Sequence, residues 1–347
     1  MALDVKEKNL IKFILKRLVP ILIVFFSFAS YMELWNQPVR LLGFSLLAVW
    51  LVKFLNLALY FARVKLFPRD PLSYGKWAIV TGATAGIGEA FAYELAARGL
   101  NVIIISRSME KLEEVKKGIL KETPGVEIRC MAFDYTDREG ADVFFATLTD
   151  TCKSLVGGLG ILVNNVGMVN ALPEYMHQLD ARTTYGILQV NVEGTVRTTR
   201  AVAPFLIEQR KGAIINVSSG SGNHPTPMIS CYASTKAFIT QFSQCLSHEL
   251  REFGVDVLVV TPYYVISNQF RRKKATYIAP TAQRMVQDTL PTLGYCDVAY
   301  PYWFHALCGF FVGLYWDVGG SVMAAMRRNR ARIMEAAAAK KGKGGVK

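Results

Sequence analysis

Tyr232 and Lys236 stand four residues apart in the segment Cys231-Tyr232-Ala233-Ser234-Thr235-Lys236. On a helix that spacing stacks the phenol and the amine on one face. An ammonium beside a phenol favours the phenolate and draws a pKa of about 10 toward neutrality. A phenol so tuned can protonate the alkoxide that forms when a ketone is reduced. Ser219 lies 13 residues before Tyr232, where its hydroxyl can bond the same carbonyl oxygen. Taken singly, each residue has an ordinary reading: a Tyr/Lys pair at this spacing is common on a helix surface, and Ser218 and Ser219 are common loop residues. Their weight comes from the context.

That context is a series of short apolar runs alternating with helical ones. Lys76–Gly82 reads as a strand and Ile87–Arg98 as a helix. Further strands are expected at 101–106, 128–134, 159–164, 213–217 and 255–261, with helices at 109–122 and near 182–210 and 232–253. The run Thr136-Asp137-Arg138-Glu139 has the form of a capping box opening another helix. Alternating strands and helices imply an α/β fold, a parallel sheet covered on both faces. The first strand runs into Thr81-Gly82-Ala83-Thr84-Ala85-Gly86-Ile87-Gly88. Glycines at such a strand-to-helix turn allow a tight bend and close backbone approach, and the helix N-terminus then faces a pyrophosphate. The second strand ends in Ser106-Arg107-Ser108, without the acid that meets a ribose 2′-hydroxyl. Arg107 can instead fork onto a 2′-phosphate, which favours NADP over NAD; the alternative is a solvated arginine at the start of a helix.

The chain of 347 residues is 52% hydrophobic and carries a net charge of +13. The excess sits at the ends, with net charges of +6 over residues 1–70 and +7 over 327–347, and a neutral middle. A nucleic-acid binder places its excess on the folded module, so nucleic acid is excluded as the partner and an anionic membrane surface is favoured. The six cysteines and four histidines show neither metal-ligand spacing nor a disulfide framework. Apolar runs at 18–32 and 41–62 precede the neutral middle. Basic flanks on both sides favour a membrane hairpin, with segments at 18–35 and 41–62, over a single span. A third run, 302–326, contains His305 and Asp317. A central Asp costs about 2.5–3.5 kcal/mol in a bilayer, so a helix resting on the cytoplasmic leaflet is expected there. Arg327, Arg328, Arg330, Arg332, Lys340 and Lys341 would then reach anionic headgroups. The expected division is an anchor at 1–70, a catalytic domain at 71–298 with a substrate loop at 262–298, and a hydrophobic segment with a basic tail at 299–347.

Taken jointly, the glycine-rich turn at 81–88, Asn164-Asn165-Val166-Gly167, Asn191, Ser219 and Tyr232-Ala233-Ser234-Thr235-Lys236 resemble the short-chain dehydrogenase/reductase superfamily. The resemblance covers about residues 75–265 and implies a Rossmann-type doubly wound sheet. It implies Tyr232 as proton donor, Lys236 as a ligand of the nicotinamide ribose, Ser219 orienting the carbonyl and Asn191 holding a water in a proton relay. It also implies Asp134 at the adenine, and Gly82, Thr84, Ala85, Gly86, Ile87, Gly88, Arg107, Asn164, Gly167 and Val265 on the cofactor side. Two departures, Val166 in place of Ala and Pro262-Tyr263-Tyr264-Val265 in place of Pro-Gly, resemble one membrane-bound branch. That branch comprises the very-long-chain 3-oxoacyl-CoA reductases, related to 17β-hydroxysteroid dehydrogenases type 12 and type 3.

The resemblance implies NADPH-dependent reduction of 3-oxoacyl-CoA to 3-hydroxyacyl-CoA in fatty-acid elongation. The expected location is the endoplasmic reticulum membrane, catalytic domain toward the cytosol, beside the other elongase components. A reductase of steroid or retinoid ketones, and a membrane scaffold that keeps the fold without turnover, remain as alternatives. Four adjacent cations, Arg271, Arg272, Lys273 and Lys274, follow the sixth strand. They have two readings: a lip holding CoA phosphates, or a solvated run on lipid headgroups.

Overall fold

The computed structural model describes residues 37–266, 275–300, 302–312 and 318–344. The first apolar run and the cations 271–274 lie outside the described residues. The chain divides into two compact units, Met1–Arg63 and Val64–Lys347. In the first, the second apolar run forms part of a continuous helix, α1 (Gln37–Leu66), that leaves Phe44, Val49, Leu51, Val52, Leu55 and Leu59 exposed. Among the described residues no helix is long and apolar enough to cross a membrane.

The second unit is built on seven parallel strands in the order β3-β2-β1-β4-β5-β6-β7. They are β1 (Trp77–Thr81), β2 (Asn101–Ser106), β3 (Ile128–Ala132), β4 (Leu159–Asn164), β5 (Gly212–Val217), β6 (Val255–Val260) and β7 (Val298–Ala299). Every residue of β1, β4 and β5 is buried. That is why these strands read as unbroken apolar runs: a parallel sheet with helices on both faces has no wet side. The crossovers are α2 (Gly86–Ala97), α3 (Met109–Glu122), α4 (Ala141–Lys153), α5 (Ala181–Leu188), α6 (Gly194–Glu208) and α7 (Ser230–Arg251). One core gathers Phe91, Leu95, Ile104 and Leu258; the other gathers Phe145, Leu148, Leu206 and Leu250. The strand order reverses between β1 and β4, so a crevice opens beyond the carboxyl ends of these strands, where ligands of such sheets bind.

Four expectations change. The run Thr136–Glu139 does not form a capping box. The Thr136 hydroxyl turns back to donate to Asp134 Oδ1 (2.8 Å). Asp137 Oδ1, a stronger acceptor, takes the amides of Glu139 (3.1 Å) and Gly140 (3.0 Å), and α4 begins at Ala141. The helix expected near 182–210 is interrupted by a π-helical turn, Gln189–Glu193, that separates α5 from α6. The run 302–326 contributes to two helices, α9 (Trp303–Val312) and α10 (Val318–Gly344). Finally, a short helix, α8 (Ala282–Thr289), and the two-residue β7 follow β6. Thr281 caps α8 by accepting from the Arg284 amide (3.1 Å).

Candidate active site

The glycine turn between β1 and α2 is held from the β4 side. Thr81 Oγ1 accepts from the amides of Asn165 (3.0 Å) and Val166 (3.0 Å). Asn165 Nδ2 donates to the carbonyls of Thr81 (3.0 Å) and Gly82 (3.2 Å). Gly82 and Gly86 have φ values of +65° and +62°, which a side chain rarely adopts. A Cβ at Gly88 would collide with Asn165 Nδ2 and the Gly82 carbonyl. Ala85, at the N-cap of α2, contributes no side-chain hydrogen bond, so the first-turn amides stay open toward the crevice. A backbone cradle at an uncapped helix N-terminus fits a dinucleotide pyrophosphate.

The rim of this cradle contains the other expected cofactor residues. Thr84 Oγ1 and Ser106 Oγ are 2.8 Å apart and tie the turn to the end of β2. Arg107, the next residue, is exposed, as the reach to a 2′-phosphate requires. Asp134 is exposed beyond β3 and accepts from the Thr136 amide (2.9 Å). Ile87 packs against the core, and Val265 is buried in the same apolar cluster. Gly167 is beside the catalytic groups: a Cβ there would lie 3.5 Å from Lys236 Nζ and 3.6 Å from Asn191 Oδ1. Asn164 is different. Its Nδ2 donates to Thr199 Oγ1 (2.9 Å) and Asn216 Oδ1 (2.9 Å), so its side chain braces β4 against β5 and α6. Asn165, one position on, is the residue on the glycine turn; in the sequence both look alike.

Ser219, Tyr232 and Lys236 converge at the carboxyl end of β5. Ser219 leaves the strand end in an extended conformation, and its Oγ accepts from the Ser221 amide (3.2 Å) and Ser221 hydroxyl (2.9 Å). Its own proton remains for the Tyr232 oxygen, to which it is hydrogen-bonded, or for a substrate carbonyl. Lys236 is buried; its Nζ donates to the Val217 carbonyl (2.8 Å) and lies 5.7 Å from the Tyr232 ring centroid. Burial lowers the Lys236 amine to about 8. Burial also pushes the Tyr232 phenol up, and the Ser219 hydrogen bond only partly opposes it. In this arrangement burial moves the phenol in the direction opposite to the lowering expected from Lys236, which gives one Nζ proton to the Val217 carbonyl. At neutral pH the phenol is protonated, the state a proton donor needs.

Asn191 sits in the π-helical turn and is fully buried. Its Nδ2 donates to the Met168 carbonyl (3.0 Å) and Thr235 Oγ1 (2.8 Å), and its Oδ1 accepts from the Met168 amide (2.7 Å). Thr235 Oγ1 in turn donates to the Tyr232 carbonyl (2.7 Å). Both amide N–H groups are thus spent on fixing α7 and the segment after β4. The π-turn, a feature often found at functional sites, is what aims this side chain.

Sequence reasoning did not single out Tyr263 as lining the site. Its ring packs on Gly220, where a Cβ would lie 2.6 Å from its Cε1, next to Ser219. The Tyr263 hydroxyl and His305 Nδ1 are buried without a partner among the described residues, with ring centroids 5.8 Å apart. Burial lowers the His305 pKa and keeps it neutral. The signal for Tyr263 was the departure from Pro-Gly after β6; nothing in the sequence pointed to His305 as its neighbour.

The family profile for short chain dehydrogenases matches residues 76–277. A very-long-chain 3-oxoacyl-CoA reductase of Macaca fascicularis is 39% identical over 69% of this chain and 75% of its own length. A very-long-chain 3-oxoacyl-CoA reductase-like protein of Arabidopsis thaliana is 36% identical over 76% of this chain and 85% of its own. Among solved structures, a short-chain dehydrogenase from Sphingobium yanoikuyae in complex with NADPH superposes with a TM-score of 0.57 at 26% identity. It covers 70% of this chain and 96% of its own.

Proposed function

The chain belongs to the short-chain dehydrogenase family and is an NADP(H)-dependent oxidoreductase; on that premise we propose that it reduces very-long-chain 3-oxoacyl-CoA to 3-hydroxyacyl-CoA in fatty-acid elongation. The observation that carries the substrate is the identity of 36–39% to relatives named for that activity, extending over more than two thirds of the chain. The site supplies the chemistry. When bound, NADPH supplies the hydride. The glycine turn at 82–88 and the first-turn amides of α2 hold its pyrophosphate, and Arg107 is the residue for its 2′-phosphate. Ser219 hydrogen-bonds the 3-keto oxygen and polarises it. Tyr232, held protonated by burial, gives its proton to that oxygen as the alkoxide forms. Lys236 stands beside the phenol with its ammonium available to the nicotinamide ribose and to the phenolate left behind. Asn191 fixes the helix that presents both.

The proposed setting is the cytosolic face of the endoplasmic reticulum membrane, beside the enzymes that form the 3-oxoacyl-CoA and dehydrate the 3-hydroxy product. The exposed apolar side chains of α1 and the basic chain ends support a bilayer as partner. The test is NADPH oxidation by purified full-length protein with a series of 3-oxoacyl-CoA thioesters and a steroid ketone alongside. Preference for the thioesters, lost by about 10²–10⁴-fold in Tyr232→Phe with NADPH binding retained, is the expected result. Turnover of the steroid ketone alone would overturn the substrate; equal rates in the variant would overturn the role of Tyr232.

A further inference from the structure

The basic helix α10 does not simply lie free at the end of the chain. Arg327 Nε donates to Tyr175 OH (3.1 Å), and Arg330 Nη2 donates to Gln178 Oε1 (3.3 Å). Tyr175 and Gln178 lie on the segment after β4, which closes on the active-site loop. Asn170 Nδ2 donates to the Met228 carbonyl (3.2 Å), and the Glu174 amide donates to the same carbonyl (2.8 Å). Met228 is four residues before Tyr232. At its other end α10 starts against that loop, where a Cβ on Gly319 would lie 3.5 Å from Pro225 Cβ. Helical rise then sets Arg327 and Arg330 about 12 and 16 Å along the axis from Gly319. The helix runs from Pro225, in the loop after Ser219, to a pair of guanidinium groups on Tyr175 and Gln178.

Neutral oxygens hold these two arginines. Among the described residues no carboxylate pairs with either. Each guanidinium has five N–H donors and gives one of them to the loop. The Nε of Arg330 is buried with no acceptor among the described residues. A buried cationic donor without an acceptor is costly unless an anion completes it, and a planar fork is suited to phosphate oxygens. We propose that Arg327 and Arg330, positioned by Tyr175 and Gln178, form a binding subsite for phosphate esters at the outer end of the substrate path. On the acyl-CoA reading above, on which this rests, the ligand is the phosphate-bearing end of CoA, separated from the ketone by its long flexible arm. Phosphate headgroups of an anionic membrane present the same chemistry from another source.

The test uses the full chain in neutral detergent, saturated with NADPH, as wild type and as Arg327→Gln/Arg330→Gln. CoA itself is titrated calorimetrically. The KM for a 3-oxoacyl-CoA is compared with that for the same acyl group on pantetheine, which lacks the phosphates. Flotation is measured with vesicles of phosphatidylcholine and phosphatidylserine. The expected result is CoA binding weakened about tenfold or more and the KM for the CoA thioester raised in parallel. The kcat and KM for the pantetheine thioester and the flotation stay as in wild type. Lost flotation with unchanged CoA binding supports the subsite with a lipid headgroup as its source. No change in either measurement overturns it, as does an equal loss on the pantetheine thioester, which would mark the arginines as supports of the fold. A wild type that binds CoA but reduces no 3-oxoacyl thioester would overturn the proposed function; the CoA titration of the variant would still judge the subsite.

Discussion

At Lys236, burial and catalysis set opposing demands. The amine is most useful charged, yet the interior lowers it to about 8. The kcat/KM for NADPH, which reports the ionisations of the cofactor-free enzyme, is therefore expected to fall as the pH rises through about 8, since deprotonation removes the cation beside Tyr232. A pH profile flat from 6 to about 10 would contradict this assignment. The same shift bears on stability. The folded-state pKa is below the unfolded value of 10.5, so between about pH 8 and 10.5 the unfolded chain binds more protons and this group's contribution improves with rising pH. Below pH 8 the buried charge costs about 3 kcal/mol at full value. Lys236→Met is expected to unfold at higher denaturant concentration than wild type at pH 7, with the gap closing toward pH 10.5. A pH-independent gap would refute it.

The elements put these groups together through irregularities. A π-helical turn at Gln189–Glu193 aims Asn191 at Met168 and Thr235. The turn at 82–86 uses two positive φ values to bring the open amides of α2 into the crevice. Gly88 is the tightest point, since a Cβ would strike both Asn165 Nδ2 and the Gly82 carbonyl. The carbonyl is main chain and cannot swing away, so Gly88→Ala is expected to spread the turn. NADPH affinity should drop by tenfold or more in a fluorescence titration. Wild-type affinity in the alanine variant would show that the cradle yields without cost.

Across the whole molecule, the catalytic end of the sheet is complemented by a bolt at the opposite end. Tyr74 OH donates to Asp256 Oδ2 (2.6 Å), pinning the segment that enters β1 to the start of β6. Burial and the carboxylate both push the Tyr74 phenol up, so the bond persists across the working pH range. Tyr74→Phe is expected to cost about 1.5–3 kcal/mol of stability by urea unfolding while leaving kcat unchanged. A change in kcat without loss of stability would mean that this end of the sheet acts on the site. Val64–Lys347 is a compact unit by itself and contains both the neutral sheet region and the basic tail at 327–347.

The sequence by itself determined six of the seven strands, the glycine turn, and the grouping of Ser219, Tyr232 and Lys236 as candidate site residues. Those signals are local: buried parallel strands are unbroken apolar runs, a phosphate turn needs glycine, and a phenol and an amine four apart share a helix face. Tertiary structure alone decided which of Asn164 and Asn165 meets the glycine turn, since one step along a strand reverses the side chain's face. It also stationed Tyr263 over Gly220 beside His305. It set the balance at Tyr232, where spacing favoured a lowered phenol and burial raises it. The same holds for Arg327 and Arg330. In the sequence they belong to a basic tail; in the fold they are held 152 residues away from their sequence neighbourhood, on Tyr175 and Gln178. Desolvation and long-range contacts depend on what the rest of the chain brings alongside, and no local pattern encodes that.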